Sequence, residues 1–167
     1  MAERVDLNGI LENIQTTLQA ANTTTASPID LSSDLSRRVR KILKVHPLMI
    51  PVQASFYPFV TCYVSKKSPQ NASIAKDQLN AKRRAEVFVD VVAAVWNDTL
   101  SVVDEDPADK DINYLMENVE LVLRSIPNVS GSVLWQVASD TLYYDQPLKE
   151  NVHLRAGIMT IRGTVFY

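Results

Sequence analysis

Glycine and cysteine are scarce in this chain of 167 residues, which has four glycines and one cysteine. So few glycines leave neither a phosphate-binding loop nor a dinucleotide-binding fingerprint, because both need glycines at fixed spacing. A single cysteine, Cys62, excludes an internal disulfide and fits a reducing compartment. We expect Cys62 to be a small core residue.

Residues that could carry catalysis or bind a metal are also sparse. His46 and His153 are the only histidines, and they lie far apart in the sequence without other ligands at the spacing of a zinc site. No serine occupies the Gly-x-Ser-x-Gly turn of a hydrolase. We therefore predict a protein that is not an enzyme, with no catalytic residue, no metal and no cofactor.

No apolar run is long enough to span a bilayer, and the first residues lack the basic and apolar segments of a secretory signal. We expect no membrane partner. The net charge of -2 excludes a strong overall attraction to nucleic acid. With 46% hydrophobic and 22% charged residues, the composition is that of a globular protein, and we predict one domain over residues 1–167.

The stretch from Arg84 to Trp96 organises the prediction. It is rich in valine and aromatic residues and contains no glycine or proline, which predicts a long strand, buried on most of one face and part of the other. A helix is the alternative, because several of its apolar residues also recur at helical spacing. We favour the strand because branching at Cβ disfavours helix. The helix and two strands that follow also complete a β-α-β-β unit.

Two helices are predicted in the N-terminal region 5–45. The first begins at Leu7, and Asp6 is placed to cap it. The second begins after Asp34 or the serine before it, and it runs to about Val45. Its outward face is basic and either contacts phosphate or an acidic protein or is simply solvated; its residues are Arg37, Arg38, Arg40, Lys41 and Lys44.

A strongly amphipathic helix is predicted with Pro107 at its first position and Asp109 in its first turn, and it runs to Ile126. Its apolar stripe consists of Ile112, Leu115, Met116, Val119, Val122 and Ile126. The same segment carries acidic residues at the spacing of an EF-hand calcium loop. Tyr114 stands at the sixth position, where that loop needs glycine for a left-handed turn. We therefore predict a helix without a calcium site.

The remaining strands are predicted at Phe59–Ser65, Ser132–Tyr144 and Val152–Tyr167, with residues 145–151 as a connecting loop. In the last strand the apolar parity changes near Gly157, which indicates either a bulge or a strand covered on both faces. The fold class is α/β (α+β), a mixed and largely antiparallel sheet flanked by helices. The predicted element order is α-α-β-β-α-β-β.

A long polar loop is predicted at residues 65–83, between two strands. Such a loop costs conformational entropy without filling the core, and loops of this kind are usually functional or disordered. It lacks the interleaved aromatic residues of a nucleic-acid surface. We expect it to contact a partner through its basic residues, which are Lys66, Lys67, Lys76, Lys82, Arg83 and Arg84.

This order of elements resembles that of the tail terminator proteins of long-tailed bacteriophages. The resemblance is one of pattern, and it covers most of the chain. The matching segments are Tyr57-Pro58-Phe59-Val60 at the start of a strand, the Glu86 to Val95 strand, the Asp109 to Ile126 helix, the Ser132 to Tyr144 strand and the closing Leu154 to Ile161 strand.

The resemblance implies a virion structural protein that forms a ring, a homohexamer, on the phage tail tube. The ring would end tube elongation and offer its other face to the head connector. The implied partners are further copies of the chain, the tail tube protein and a head connector or neck protein. DNA would pass through the channel without sequence-specific binding, and the basic loop would contact the tube or face the channel. The implied location is the head-proximal end of the tail, and the host cytoplasm during assembly.

Two alternatives remain open at this point. The chain could be another head-tail connector or neck ring protein of the virion. It could also be a small DNA-binding adaptor, which would bind DNA as an isolated subunit with a steep dependence on salt.

Overall fold

The computed structural model describes residues 5–22, 39–70, 84–97, 107–124, 128–129, 133–149 and 152–166. Two helices and six strands lie in these ranges: α1 (Leu7–Ala21), β1 (Lys41–Leu43), β2 (Phe59–Gln70), β3 (Arg84–Asn97), α2 (Pro107–Arg124), β4 (Asn128–Val129), β5 (Val133–Lys149) and β6 (Val152–Phe166). The strands form one sheet in the order β1-β2-β3-β6-β5-β4. Only the β1–β2 pair is parallel, so the predicted mixed, largely antiparallel sheet is confirmed.

The valine-rich stretch is a strand, as predicted. β3 pairs antiparallel with β6 from Arg84 opposite Phe166 to Asn97 opposite His153, and with β2 on its other side. Branched side chains suit this position because they pack well on a pleated surface and lose freedom in a helix. Burial also follows the prediction, since alternate residues of β3 are buried on one face and part of the second face is buried as well.

The two faces of the sheet are covered differently. On one, called here the helix face, the odd-numbered residues of β3 from Val87 to Val95 join a core with α1 and α2. The opposite face, called here the outer face, carries a smaller cluster at one end, where Ile50 and Tyr57 pack with Phe59 and Leu154. Two short 3-10 turns, Pro47–Met49 and Ala54–Phe56, lie in the connection that supplies Ile50 and Tyr57.

Both helices follow their sequence signals. Asp6 caps α1, where its Oδ1 accepts a hydrogen bond from the Gly9 N–H at 2.9 Å. α2 begins at Pro107, and the described part of its predicted stripe is buried: Ile112, Leu115, Met116, Val119 and Val122. The segment that imitates a calcium loop is part of this regular helix. No described helix is both long and apolar enough to cross a membrane.

Gly157 marks a close approach of α2 to the sheet. The pairing of β6 with β3 continues through Gly157 without a shift, so this pairing contains no bulge there. A Cβ at Gly157 would lie 2.6 Å from Met116 Cγ, so glycine lets α2 lie close to β6. The apolar parity changes because Leu154 packs in the outer-face cluster while Met159 belongs to the helix-face core. β6 is therefore covered on the outer face near Leu154 and on the helix face near Met159, and the register shift in this part of the sheet lies in β5, between Val137 and Thr141.

The end of the predicted second helix is wrong. Lys41–Leu43 is a strand, β1, beside Phe59–Thr61 of β2. The Ile42 carbonyl accepts a hydrogen bond from Gln15 Nε2 at 2.8 Å. The N–H of Arg40, just before β1, donates to the Pro58 carbonyl at 2.8 Å, so neither group makes the hydrogen bond of a helix. Ile42 is buried, so its apolar character did mark a core contact. The start of that predicted helix lies outside the described residues.

Two predicted loops are shorter than expected. β2 continues as a strand to Gln70, with a register shift between Val64 and Lys66, and β5 continues to Lys149. Pairing with β3 and β6 stabilises these polar segments as strands although their composition is that of loops. Residues 71–83 of the predicted loop lie outside the described ranges. Cys62 is fully buried, as expected, and burial raises the pKa of its thiol to about 12.

Leu115 tests the contribution of the helix-face core. Its side chain is 0% exposed on α2, whereas Leu121 on the same helix is 62% exposed. We expect Leu115→Ala to lower the free energy of unfolding by about 2–5 kcal/mol, because it leaves a cavity. Leu121→Ala should change it by less than about 0.5 kcal/mol. Urea unfolding of both variants measures the difference, and equal losses would contradict this placement of α2.

Candidate partner-binding surface

The structure separates the predicted basic residues into two groups. Lys66 and Arg84 lie on the outer face at the end of the sheet where β2 and β3 connect, and Arg40, Lys41 and Lys44 lie at or beside β1. The predicted site residues outside the described ranges are Arg37, Arg38, Lys76, Lys82 and Arg83. Arg83 directly precedes Arg84 in the chain.

Lys66 and Lys67 do not share a surface. Lys66 pairs with Phe88 and projects from the outer face, whereas Lys67 pairs with Val87, a residue of the helix face. Both side chains are exposed. They belong to β2, so the prediction that they lie in a loop is wrong. Successive side chains of a strand point to opposite faces, which separates two lysines that are adjacent in the sequence.

Lys66, Phe88 and Arg162 form one row across β2, β3 and β6. Lys66 Nζ lies 5.6 Å from the centroid of the Phe88 ring, and Arg162 Cζ lies 6.0 Å from it. Both cations therefore lie within the range of an attractive interaction with the ring. Arg162 was not among the predicted site residues, although it shares the parity of Leu154 and Ile158 in the last strand. A cation among the apolar residues of that parity was the sequence signal that could have identified Arg162.

Glu86 organises the next row of this surface. It is 7% exposed, its Oε1 accepts a hydrogen bond from Arg162, and it lies 3.7 Å from a guanidinium nitrogen of Arg84. A carboxylate removed from water requires such partners. The two arginine side chains remain 40% and 49% exposed, so they also face solvent. Lys66, Arg84 and Arg162 are called here the basic patch.

A polar network adjoins the basic patch along β3. Asp90 Oδ1 accepts hydrogen bonds from Ser65 Oγ at 2.9 Å and Thr160 Oγ1 at 2.8 Å. Burial, and then the charge and hydrogen bond of Asp90, raise the pKa of Tyr63. The ring centroids of His46 and Tyr63 lie 4.6 Å apart. Hydroxyl donors therefore satisfy Asp90, and the network fixes the outer-face side chains of β2, β3 and β6 relative to one another.

Arg40, Lys41 and Lys44, called here the β1 group, make contacts separate from those of the basic patch. Lys44 forms an ion pair with Glu12 of α1, and Lys41 Nζ lies 5.9 Å from the centroid of the Phe56 ring. Arg40 and Lys41 are exposed. Among the described residues, no group of three or more histidine, cysteine, aspartate or glutamate side chains could hold a metal ion. The chemistry that this surface supports is the binding of a negatively charged partner.

Glu86 tests how the basic patch is held. Glu86→Ala should lower the free energy of unfolding by about 1.5–3 kcal/mol, because two guanidinium groups lose a buried acceptor. Glu12→Ala is the matched control, since it removes an exposed carboxylate from its ion pair with Lys44, and it should cost at most about 1 kcal/mol. Chemical denaturation compares the two variants. A loss for Glu86→Ala no larger than that for Glu12→Ala would contradict the organising role of Glu86.

Comparison with known proteins finds likeness to solved structures alone. No family model matches the chain, and no curated protein matches it. A chain of the solved structure described as "Virion of native gene transfer agent (GTA) particle" is 12% identical, with a TM-score of 0.46. The likeness covers 98% of this chain and 100% of that one. At this level it shows neither a shared family nor a shared function.

Proposed function

We propose that this chain is a non-enzymatic structural protein of a virion. In this proposal it forms a ring that caps the phage tail tube, ends elongation and offers its second face to the head connector. The observation that carries the proposal is exposed apolar surface at two separate places on the molecule. Leu48 and Met49, in the turn after β1, are 87% and 78% exposed. The second place is β5, where Leu142 and Tyr144 project from the outer face and Tyr143 projects from the helix face.

Exposed apolar side chains at two places favour a subunit whose neighbours cover them in an assembly. A monomeric protein rarely leaves large apolar patches in water, whereas interfaces are enriched in tyrosine and methionine. A ring subunit needs contact surfaces on two sides for its neighbours, and further surfaces for the tube and the connector. Two apolar places on separate elements meet the first of these needs.

The basic patch is the proposed contact with the tail tube or the channel. It lies at the end of the sheet where residues 71–83 connect Gln70 to Arg84. That connection contains Lys76, Lys82 and Arg83, which add positive charge in the same part of the chain. Cations attract the phosphates of passing DNA without reading its sequence, and they also attract acidic residues of a tube protein.

The segments that carry the resemblance to tail terminator proteins also have the expected element types. Strands begin at Phe59 and Arg84, a helix begins at Pro107, and two long strands end the described chain. The correspondence departs at β1, where a helix was expected. A neck ring protein and a DNA-binding adaptor remain the competing functions, and solution experiments separate them.

The native mass separates ring-forming proteins from an adaptor. We expect light scattering on a sizing column to give a mass near six subunits, or negative-stain images to show rings at the ends of added tail tubes. Rings capping tube ends would also favour a terminator over a neck protein. A monomer that ignores tube ends and binds DNA with a steep salt dependence would refute the proposal and favour the adaptor.

Lys66 and Lys67 provide a matched test of the basic patch. Lys66→Glu reverses a charge on the outer face, and we expect it to abolish tail completion, counted as capped tails in negative stain. It should lower the free energy of unfolding by no more than about 1 kcal/mol, the contribution of an exposed cation–ring contact. Lys67→Glu makes the same change on the opposite face and should leave completion intact. Normal completion with Lys66→Glu would remove the basic patch from the proposal.

A further inference from the structure

The two edges of the sheet differ in charge. β1 is the strand at one edge, and the exposed charged residues of that strand and its flanks are mainly basic: Arg40, Lys41 and Lys44. These residues and the exposed apolar residues that follow them, Val45, Leu48 and Met49, are called here the β1 side. Glu12 pairs with Lys44, which leaves the exposed Arg40 and Lys41 to dominate the local field.

The opposite edge is acidic and aromatic. Its exposed residues on β5 and the adjoining flank of α2 include six that are called here the β5 side: Glu117, Asp140, Leu142, Tyr143, Tyr144 and Asp145. Burial, then the charges of Glu117 and Glu120, raise the pKa of Tyr143, as expected if these helix residues face β5. Arg124 pairs with Glu120 and Arg155 pairs with Asp145, so carboxylates balance these two cations.

The backbone of the β5 side is also suited to contact. β4 pairs only with Val133 and Leu134 on the outer edge of β5. The described residues supply no second strand along Thr141–Tyr144, and the side chains of Leu142, Tyr143 and Tyr144 there are exposed. Proteins usually shield long apolar edges with charges, turns or a partner, because an open edge binds other chains.

The two sides lie at opposite edges of one sheet, so each is open to a different copy of the chain. A two-fold contact of either side with itself would place like charges together, which is unfavourable. A contact between unlike sides is head-to-tail, and repeated rotation closes such contacts into a ring. β1 runs parallel to β2, and the following pairs are antiparallel, so β1 and β5 run in opposite directions. Copies rotated about an axis near the strand direction would therefore place the two edges antiparallel.

We infer that a second copy of this chain docks its basic β1 side on the acidic, aromatic β5 side of the first. This contact rests on the proposed ring and specifies which surfaces form it. The β1 group thereby receives a role distinct from that of the basic patch. Charge selects the pairing of unlike sides, and Leu48, Met49, Leu142 and the tyrosines supply apolar area that the contact buries.

Charge exchange between the two sides tests the contact directly. Arg40→Glu with Lys41→Glu makes both sides acidic, and Glu117→Lys with Asp140→Lys makes both sides basic. Each double variant should self-associate at least about tenfold more weakly than the natural chain in sedimentation equilibrium at low salt. An equimolar mixture of the two should restore association, as should one chain that carries all four changes. Circular dichroism and thermal unfolding establish that every variant is folded.

Two substitutions at Leu142 test the apolar part. Leu142 is 58% exposed on the β5 side. Leu142→Ser should weaken self-association about tenfold, the effect typical of an apolar residue central to an interface. Leu142→Ile keeps the apolar area and is the matched control, so it should leave self-association within about twofold of that of the natural chain. Self-association of Leu142→Ser as tight as that of the natural chain would overturn the contact.

The outcomes also separate this contact from the proposed ring. If the chain forms rings and no charge or Leu142 variant changes their stability, the β1–β5 contact is overturned and the proposed ring is not. A chain that stays monomeric at its highest soluble concentration at low salt would overturn the contact as inferred here. The formation of rings at the ends of tail tubes would then decide whether the proposed ring is correct.

Discussion

The continuous antiparallel pairing of β3 with β2 and β6 is the constraint on which the structure depends. Each of the 14 residues of β3 has a partner on β6, from Arg84 to Asn97. This register decides which side chains face the helices and which form the outer face, because a slip by one residue would exchange the two sets. The core under α1 and α2 and the row that contains Phe88 are both consequences of it.

The pairing also explains how one strand serves two surfaces. The odd-numbered residues of β3 from Val87 to Val95 are small or branched and pack under α1 and α2, and Gly157 on β6 lets α2 lie close to the sheet. The even-numbered residues include Glu86, Phe88 and Asp90, each in contact with a charged or hydroxyl side chain from a neighbouring strand. Polar groups that would be costly to bury alone are thus held by partners across the sheet. Because alternate side chains of β3 point to opposite faces of the sheet, the residues that form the core differ from those that lie beside the basic patch.

The proposed assembly uses three regions of the molecule for three contacts. The basic patch lies at one end of the sheet, and the β1 and β5 sides lie at its two edges. A ring subunit needs this kind of separation, because contacts with neighbours must not block contacts with the tube. The sheet supplies it by its topology, since one end and the two edges of a sheet are distinct surfaces.

Local patterns in the sequence by themselves determined the long central strand, both described helices, the Asp6 cap and the burial of Cys62, because their apolar period or cap residue is consistent over many residues. They also identified Lys66 and Arg84 as candidates for partner contact. They misjudged β1 and the polar ends of β2 and β5, where pairing with a distant strand overrides local composition. Only the tertiary structure could place Lys67 apart from Lys66, add Arg162 to the basic patch and bring β1 and β5 to opposite edges. These relations depend on register and strand order, which arise from contacts between residues distant in the chain.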